Sequence, residues 1–152
     1  MPGIPRPQGS KTPMRNRKTG KLFVIDSSGE GGRLWRQSVQ VFAAQAFDGP
    51  LLTGPLVVLM RFVLSRPKGH YGSGKNEHKL KASAPKEHIK RADLLKLTRA
   101  VEDALTGIIY KDDAQIVEEH LRKHYCCEDA QSPGVMVTVR DIGNTDLKRR
   151  RD

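Results

Sequence analysis

The run Leu56-Val-Val-Leu-Met-Arg-Phe-Val-Leu64 constrains the fold of this chain more than any other feature. Nearly continuous, β-prone apolar character, interrupted by Arg61, predicts a central strand covered on both faces for much of its length. The run falls far short of the roughly 20 residues that span a bilayer, and residues 1–22 lack the apolar segment of a signal peptide. A soluble, intracellular protein with no membrane partner is therefore expected. The 152 residues suffice for one domain of ordinary size. Hydrophobic residues make up only 37%, but they come in blocks, which favours a folded core with basic extensions over a disordered chain.

Other elements can be read around that strand. Leu22–Ile25 is a short apolar run ended by Asp26-Ser27-Ser28-Gly29, a strand followed by a turn. Trp35, Val39, Phe42, Ala43 and Ala46 recur at helical spacing until Asp48-Gly49-Pro50. A polar, basic loop is expected from Arg66 to about Ala92. The next helix runs from about Asp93, a suitable N-cap, to Leu105, with Gly107 as its stop. Its apolar stripe is Leu94, Leu97, Val101, Ala104 and Leu105. Leu95 lies about 130° from the centre of that stripe, on the side of Arg99, Glu102 and Thr106, an apolar residue in a polar place. Ile108–Tyr110 reads as a short strand. Ile116–Cys126 is ambiguous, with strand preferred over helix, and Gly134–Arg140 alternates as a final strand. The orders βαββααβ and βαβαβββ both fit, and either is a small single α+β domain with a mixed sheet packed against helices.

Charge is segregated along the chain. The formal net charge is +10, with 27 Lys and Arg against 17 Asp and Glu. Residues 1–20 form a proline-rich arm, extended or ordered on binding, and with Lys21 they hold six cations and no acid. A basic tail, residues 143–152, closes the chain, leaving 21–142 as the globular part. Arg61 to Arg99 carries 11 basic residues against three acids, whereas Glu102 to Ala130 carries eight acids against three bases. A basic surface beside a concentrated acidic segment suits a protein that grips a polyanion and sets metal-binding carboxylates against it.

Two motifs argue less than they promise. Gly69-His-Tyr-Gly-Ser-Gly-Lys75 has the spacing of a phosphate-binding loop, but Asn76 replaces the hydroxyl that should reach magnesium, and no helix is expected to follow. His120, His124, Cys126 and Cys127 are zinc-ligand types, yet on a strand His120 and His124 stand about 13 Å apart and cannot share an ion. Adjacent Cys126 and Cys127 are poorly arranged for a structural disulfide, consistent with a reducing compartment. The carboxylates offer more. Asp93 opens a helix, and Asp112 and Asp113 follow a short apolar segment, where they either mark a turn or aim into a cleft. Hard divalent ions take oxygen ligands, and two or three carboxylates from separate elements can hold magnesium for phosphoryl chemistry.

Arg66-Pro-Lys-Gly-His-Tyr71, Arg91-Ala-Asp-Leu-Leu-Lys-Leu-Thr-Arg-Ala-Val-Glu-Asp-Ala-Leu-Thr-Gly107, Tyr110-Lys-Asp-Asp-Ala-Gln-Ile-Val117 and the β sequence from Gly134 together resemble the RusA family of Holliday junction resolvases, common in phages and prophages. The resemblance extends to Gln8-Gly-Ser-Lys11 and Leu34-Trp-Arg36. It implies an α+β homodimer that binds four-way DNA junctions in the cytoplasm of a bacterium or phage-infected host and nicks opposed strands with Mg²⁺, for which Mn²⁺ can substitute. By the same resemblance Asp93 and Asp113 are catalytic and bind the ion, with Asp112 beside them, and Arg99 stands where the family has a catalytic lysine. The family's second aspartate falls on Leu95. A leucine cannot ligate a metal, so either Glu102 or Asp112 substitutes, or cleavage is impaired and the protein binds junctions without cutting them. A more general accessory role on RNA or DNA is a third reading. Lys11, Arg15, Arg17, Lys18, Arg66, Lys68, Lys75, Lys79, Lys81, Lys90, Arg91 and Lys96 are the expected DNA contacts.

Overall fold

A computed structural model of the protein describes residues 1–126 and 132–143. Cys127, Glu128, Asp129 and the basic tail from residue 144 lie outside the described residues. The order is β1 (Lys11–Arg15), β2 (Leu22–Asp26), α1 (Gly29–Ala46), β3 (Leu56–Leu64), α2 (Leu94–Leu105), β4 (Ile116–Tyr125) and β5 (Gly134–Asp141). Neither expected order is realised. The arm supplies an unforeseen strand, β1, which pairs antiparallel with β2 in a hairpin. Ile108–Tyr110 is not a strand: the Ile108 and Ile109 amides both donate back to Leu105, and Tyr110 makes only isolated bridges to Leu52 and Thr106. With its donors turned to the helix end, this segment cannot enter a ladder. Gly107, at φ +78°, makes the reversal.

The expected strands at Leu56–Leu64 and from Gly134 are present, and Ile116–Tyr125 resolves as a strand. Central β3 pairs parallel with β4 and antiparallel with β5. The parallel pair requires a crossover, and α2 provides it. Leu56, Val58, Met60, Phe62 and Leu64 point to one face and are buried against the helices. Trp35, Val39 and Ala43 of α1 and Leu97, Ala100, Val101, Ala104 and Leu105 of α2 complete that core. The other face of β3 is covered less than its apolar run predicts: Val57 and Leu59 are half-buried and Arg61 is exposed, because both helices pack on a single side.

Residues 66–92 cross the end of the sheet as a loop containing two single 3₁₀ turns, and no helix opens after Lys75. Its charges leave little apolar surface to bury, so a few side chains pin it down. The Arg66 guanidinium lies 4.9 Å over the Tyr125 ring and donates to the Cys126 and Pro85 carbonyls. His70 and His88 pack on the same ring at 5.0 and 4.7 Å. Lys123 Nζ donates to the Ala92 carbonyl at 2.7 Å, fixing the loop just before α2.

Phe62, fully buried on the core face of β3, tests this core. Phe62→Ala is expected to lower unfolding free energy by about 3–5 kcal/mol in urea titration, with the m-value preserved.

Candidate metal and phosphate site

The acidic site is assembled by packing. The apolar stripe of α2 faces β3, which leaves Leu95, Arg99, Glu102 and Thr106 on the opposite side within about 60° of one another. Leu95 is 70% exposed, as its place on the helix predicts, and Arg99 is exposed. Glu102 is half-buried at the boundary between that side and the sheet. On β4, Glu119 is in register with core-facing Val58, so strand alternation turns it toward the helices and Glu118 away.

The Asp-Asp-Ala-Gln motif explains how Asp113 reaches the same place. Asp112 Oδ1 accepts from the Ala114 amide at 2.9 Å, and Gln115 Oε1 accepts from the Asp112 amide at 2.9 Å, a reciprocal capping box on the turn Asp113–Gln115. Gln115 Nε2 also donates to the Leu52 and Gly54 carbonyls at 3.0 and 2.9 Å. Asp112 and Gln115 thus clamp the turn to the segment entering β3, and Asp113 projects from it. Glu102, Asp113 and Glu119 line a shallow cleft of about 460 Å³ with Ala114, Ile116 and Val117, and Glu118, whose carboxylate pairs with His120, also borders it.

Electrostatics mark this cleft. The Glu102 carboxyl is pushed up to about 8, chiefly by burial, then by its hydrogen bond and proximity to Glu119 and by the charges of Asp113 and Asp103. The Tyr110 hydroxyl, which donates to the Glu102 carbonyl at 3.1 Å, is raised by burial and by the same acids. Crowded carboxylates with only oxygen donors suit a hard divalent cation, which would relieve their repulsion. In this structure Glu102, which the sequence offers as a substitute ligand, stands beside Asp113. Glu119 was not singled out from sequence, although its alternation with Leu121, Lys123 and Tyr125 along a strand could have placed it on the inner face.

Asp93 is positioned differently. It holds the N-cap position of α2 without a side-chain cap bond, and its carboxylate lies 3.9 Å from Lys96 Nζ. Nine residues of helix separate it from Glu102, about 13 Å of rise. The structure brings Glu102, Asp113 and Glu119 together and does not bring Asp93 to them. Among the described residues no three His, Cys, Asp or Glu side chains form a cage for an ion. A magnesium site does not need one, since it commonly takes one or two carboxylates and fills the rest with water and phosphate.

The cations surround the acids unevenly. Lys11, Arg15, Arg17 and Lys18 are exposed on the hairpin, and Lys68, Lys75, Lys79, Lys81, Lys90 and Arg91 are exposed along the loop. Lys81 Nζ also donates to the Gly69 carbonyl. Arg66 is largely occupied with Tyr125 and two carbonyls, as described above. Gln8 ties the hairpin to α2: its amide donates to the Lys96 carbonyl and its Nε2 to Asp103 Oδ2, both at 2.7 Å, while Arg36 donates to its Oε1. His120 pairs with Glu118 and His124 with the Tyr125 carbonyl, on the strand that was expected to keep the two histidines apart.

Because the folded chain keeps a proton on Glu102 that the unfolded chain releases near 4.5, stability should fall as pH rises from about 5 to about 8. In buffer without divalent ions, Glu102→Gln is expected to raise the melting temperature at pH 8 and to change it little at pH 5. Equal shifts at both pH values would show that Glu102 ionises normally.

Comparison with known proteins agrees with the resemblance read from sequence. An uncharacterized protein of Bacillus subtilis strain 168, YqaN, is 29% identical over 137 residues, spanning 90% of this chain and 87% of its own length. The family model described as endodeoxyribonuclease RusA matches residues 2–140, from the arm through β5. The chain belongs to the RusA endodeoxyribonuclease family.

Proposed function

We propose that the protein is a Mg²⁺-dependent, structure-selective endodeoxyribonuclease that acts as a homodimer on four-way DNA junctions in recombination and repair, making paired nicks. Family membership supports the nuclease activity and the junction substrate. The convergence of Glu102, Asp113 and Glu119 beside the Arg99 side of α2 is the observation that carries the rest.

Asp113 and Glu102 would hold the ion, with Glu119 behind Glu102 and Asp112 fixing the turn. Bound there, magnesium would supply Lewis-acid polarisation of the phosphate and a more acidic water. Arg99, one turn before Glu102, would neutralise charge developing on the phosphate oxygens. The exposed lysines and arginines of hairpin and loop would hold the backbone and orient the scissile bond. Asp93, which the resemblance assigns to the same ion, is kept as a contributing acid at the start of α2, and Asp93→Asn measures its share.

A second reading has a specific observation in its favour. Leu95, exposed on the same side as Arg99 and Glu102, replaces the family's second aspartate and offers no ligand. Under that reading the protein binds junctions and cuts them poorly.

An end-labelled four-way junction and a linear duplex of the same sequence, each with Mg²⁺ or EDTA, separate the two. The nuclease reading predicts symmetric nicks in the junction alone, lost with EDTA and reduced about 100-fold or more in Asp113→Asn. Binding without cuts, with cleavage appearing in Leu95→Asp, would establish the second reading. Equal binding of junction and duplex would contradict both.

A further inference from the structure

The β1–β2 hairpin exposes more apolar surface than a ribbon facing water sustains. Leu22, Phe23, Val24 and Ile25 are consecutive and between 43% and 74% exposed, and Met14, the cross-strand partner of Phe23, is 46% exposed. Every residue of β1 is exposed as well. Strand alternation sets Phe23 and Ile25 with Met14 on one face and Leu22 and Val24 on the other, and a two-stranded ribbon, marginal on its own, with apolar side chains exposed on both faces marks a binding surface.

The same ribbon is strongly cationic. Lys11 and Arg15 lie on β1, Arg17, Lys18 and Lys21 surround the turn, and no acid precedes Asp26 in the chain. The tip is well formed: Asn16 Oδ1 accepts from the Lys18 and Thr19 amides, the Asn16 carbonyl accepts from Gly20, and Gly20 takes φ +69°. The base is fixed too. The Ser10 amide donates to Ser27 Oγ at 2.8 Å, and Gln8 bonds both Lys96 and Asp103 of α2. A basic ribbon with apolar side chains on both faces is therefore tethered through Gln8 to the helix that carries Glu102.

Charge selects the occupant. A second copy of the hairpin would set five cations against five, whereas a polyanion with accessible apolar surface complements both properties. Linear duplex DNA hides its base faces by stacking, but a branch point exposes them where arms diverge. A two-stranded ribbon fits a DNA groove, and apolar side chains can wedge between base steps.

We propose that the hairpin enters the branch point of branched DNA, with Met14 and Phe23 packing on the base pairs that flank the opening and Arg15, Arg17, Lys18 and Lys21 holding the converging phosphates. This rests on the junction-nuclease reading and supplies the element that distinguishes branched from linear DNA.

Full-length protein is titrated, in EDTA, into a four-way junction carrying 2-aminopurine beside the branch point and into the matching duplex. The expected result is a fluorescence rise on junction binding that is lost in Met14→Ala/Phe23→Ala. That variant should bind the junction about tenfold more weakly while holding duplex affinity within about twofold. Arg17→Ala/Lys18→Ala should instead weaken both substrates and reduce the slope of log K against log salt by roughly 2. Thermal melting and sedimentation of each variant accompany the titrations. Junction preference intact in Met14→Ala/Phe23→Ala would overturn the proposal, as would a drop in that variant to a smaller species, which would make the hairpin a contact between copies. Failure of the unmodified protein to prefer the junction would instead defeat the reading on which the proposal rests.

Discussion

Burial of one face of β3 under α1 and α2 is the constraint from which the candidate site follows. Leu56, Val58, Met60 and Phe62 are at most 2% exposed, and Leu97, Val101, Ala104 and Leu105 of α2 close on them to the same degree. Each of these side chains larger than alanine contributes about 1.5–3 kcal/mol relative to exposure. That is enough, summed over the stripe, to hold α2 in one rotation even though it presses Glu102 toward Glu119 and Asp113. The raised Glu102 carboxyl is the electrostatic cost of that packing, and a divalent cation would offset it. The apolar core and the crowded carboxylates are thus two sides of one helix position.

Connections far from the core then decide what the site faces. The Asp112–Gln115 clamp ties the turn after α2 to the strand entrance at Leu52 and Gly54, so Asp113 is positioned by polar bonds and Glu102 by apolar ones. Gln8 links the hairpin to both ends of α2, and Tyr125 gathers Arg66, His70 and His88 to hold the basic loop. Basic segments that lack a core of their own are in this way attached to the elements that carry the acids, the hairpin to α2 and the loop to β4.

Much of this was legible in the residues. The apolar run of β3, the α2 periodicity and the exposed place of Leu95 follow from patterns that depend on local spacing, and the mixed α+β class follows from them. The Asp-Asp-Ala-Gln motif and the Arg91–Gly107 segment carried the family. What escaped depends on pairing between distant segments. β1, with Pro13 and two cations, has no strand signal of its own and exists because β2 offers it a partner. Ile108–Tyr110 has β-prone residues, but the Ile108 and Ile109 amides return to Leu105 and the segment meets Leu52 only in an isolated bridge. Alternation within 116–125 puts Glu119 on the inner face, but it joins the site because β4 pairs parallel with β3 in a register that sets it opposite Val58, which local spacing does not specify. The separation of Asp93 from the cluster is a matter of helix rise that the family resemblance alone does not expose.

Mg²⁺-dependent cleavage at this cleft requires that Glu102 and Asp113 together form a divalent-cation site. Titration of Mn²⁺ into the DNA-free protein at neutral pH, followed by the loss of free-ion signal in electron paramagnetic resonance, measures it directly. One ion per chain is expected, with binding weakened at least about tenfold by either Glu102→Gln or Asp113→Asn. Binding of equal strength in those two variants, with loss in Asp93→Asn alone, would contradict it.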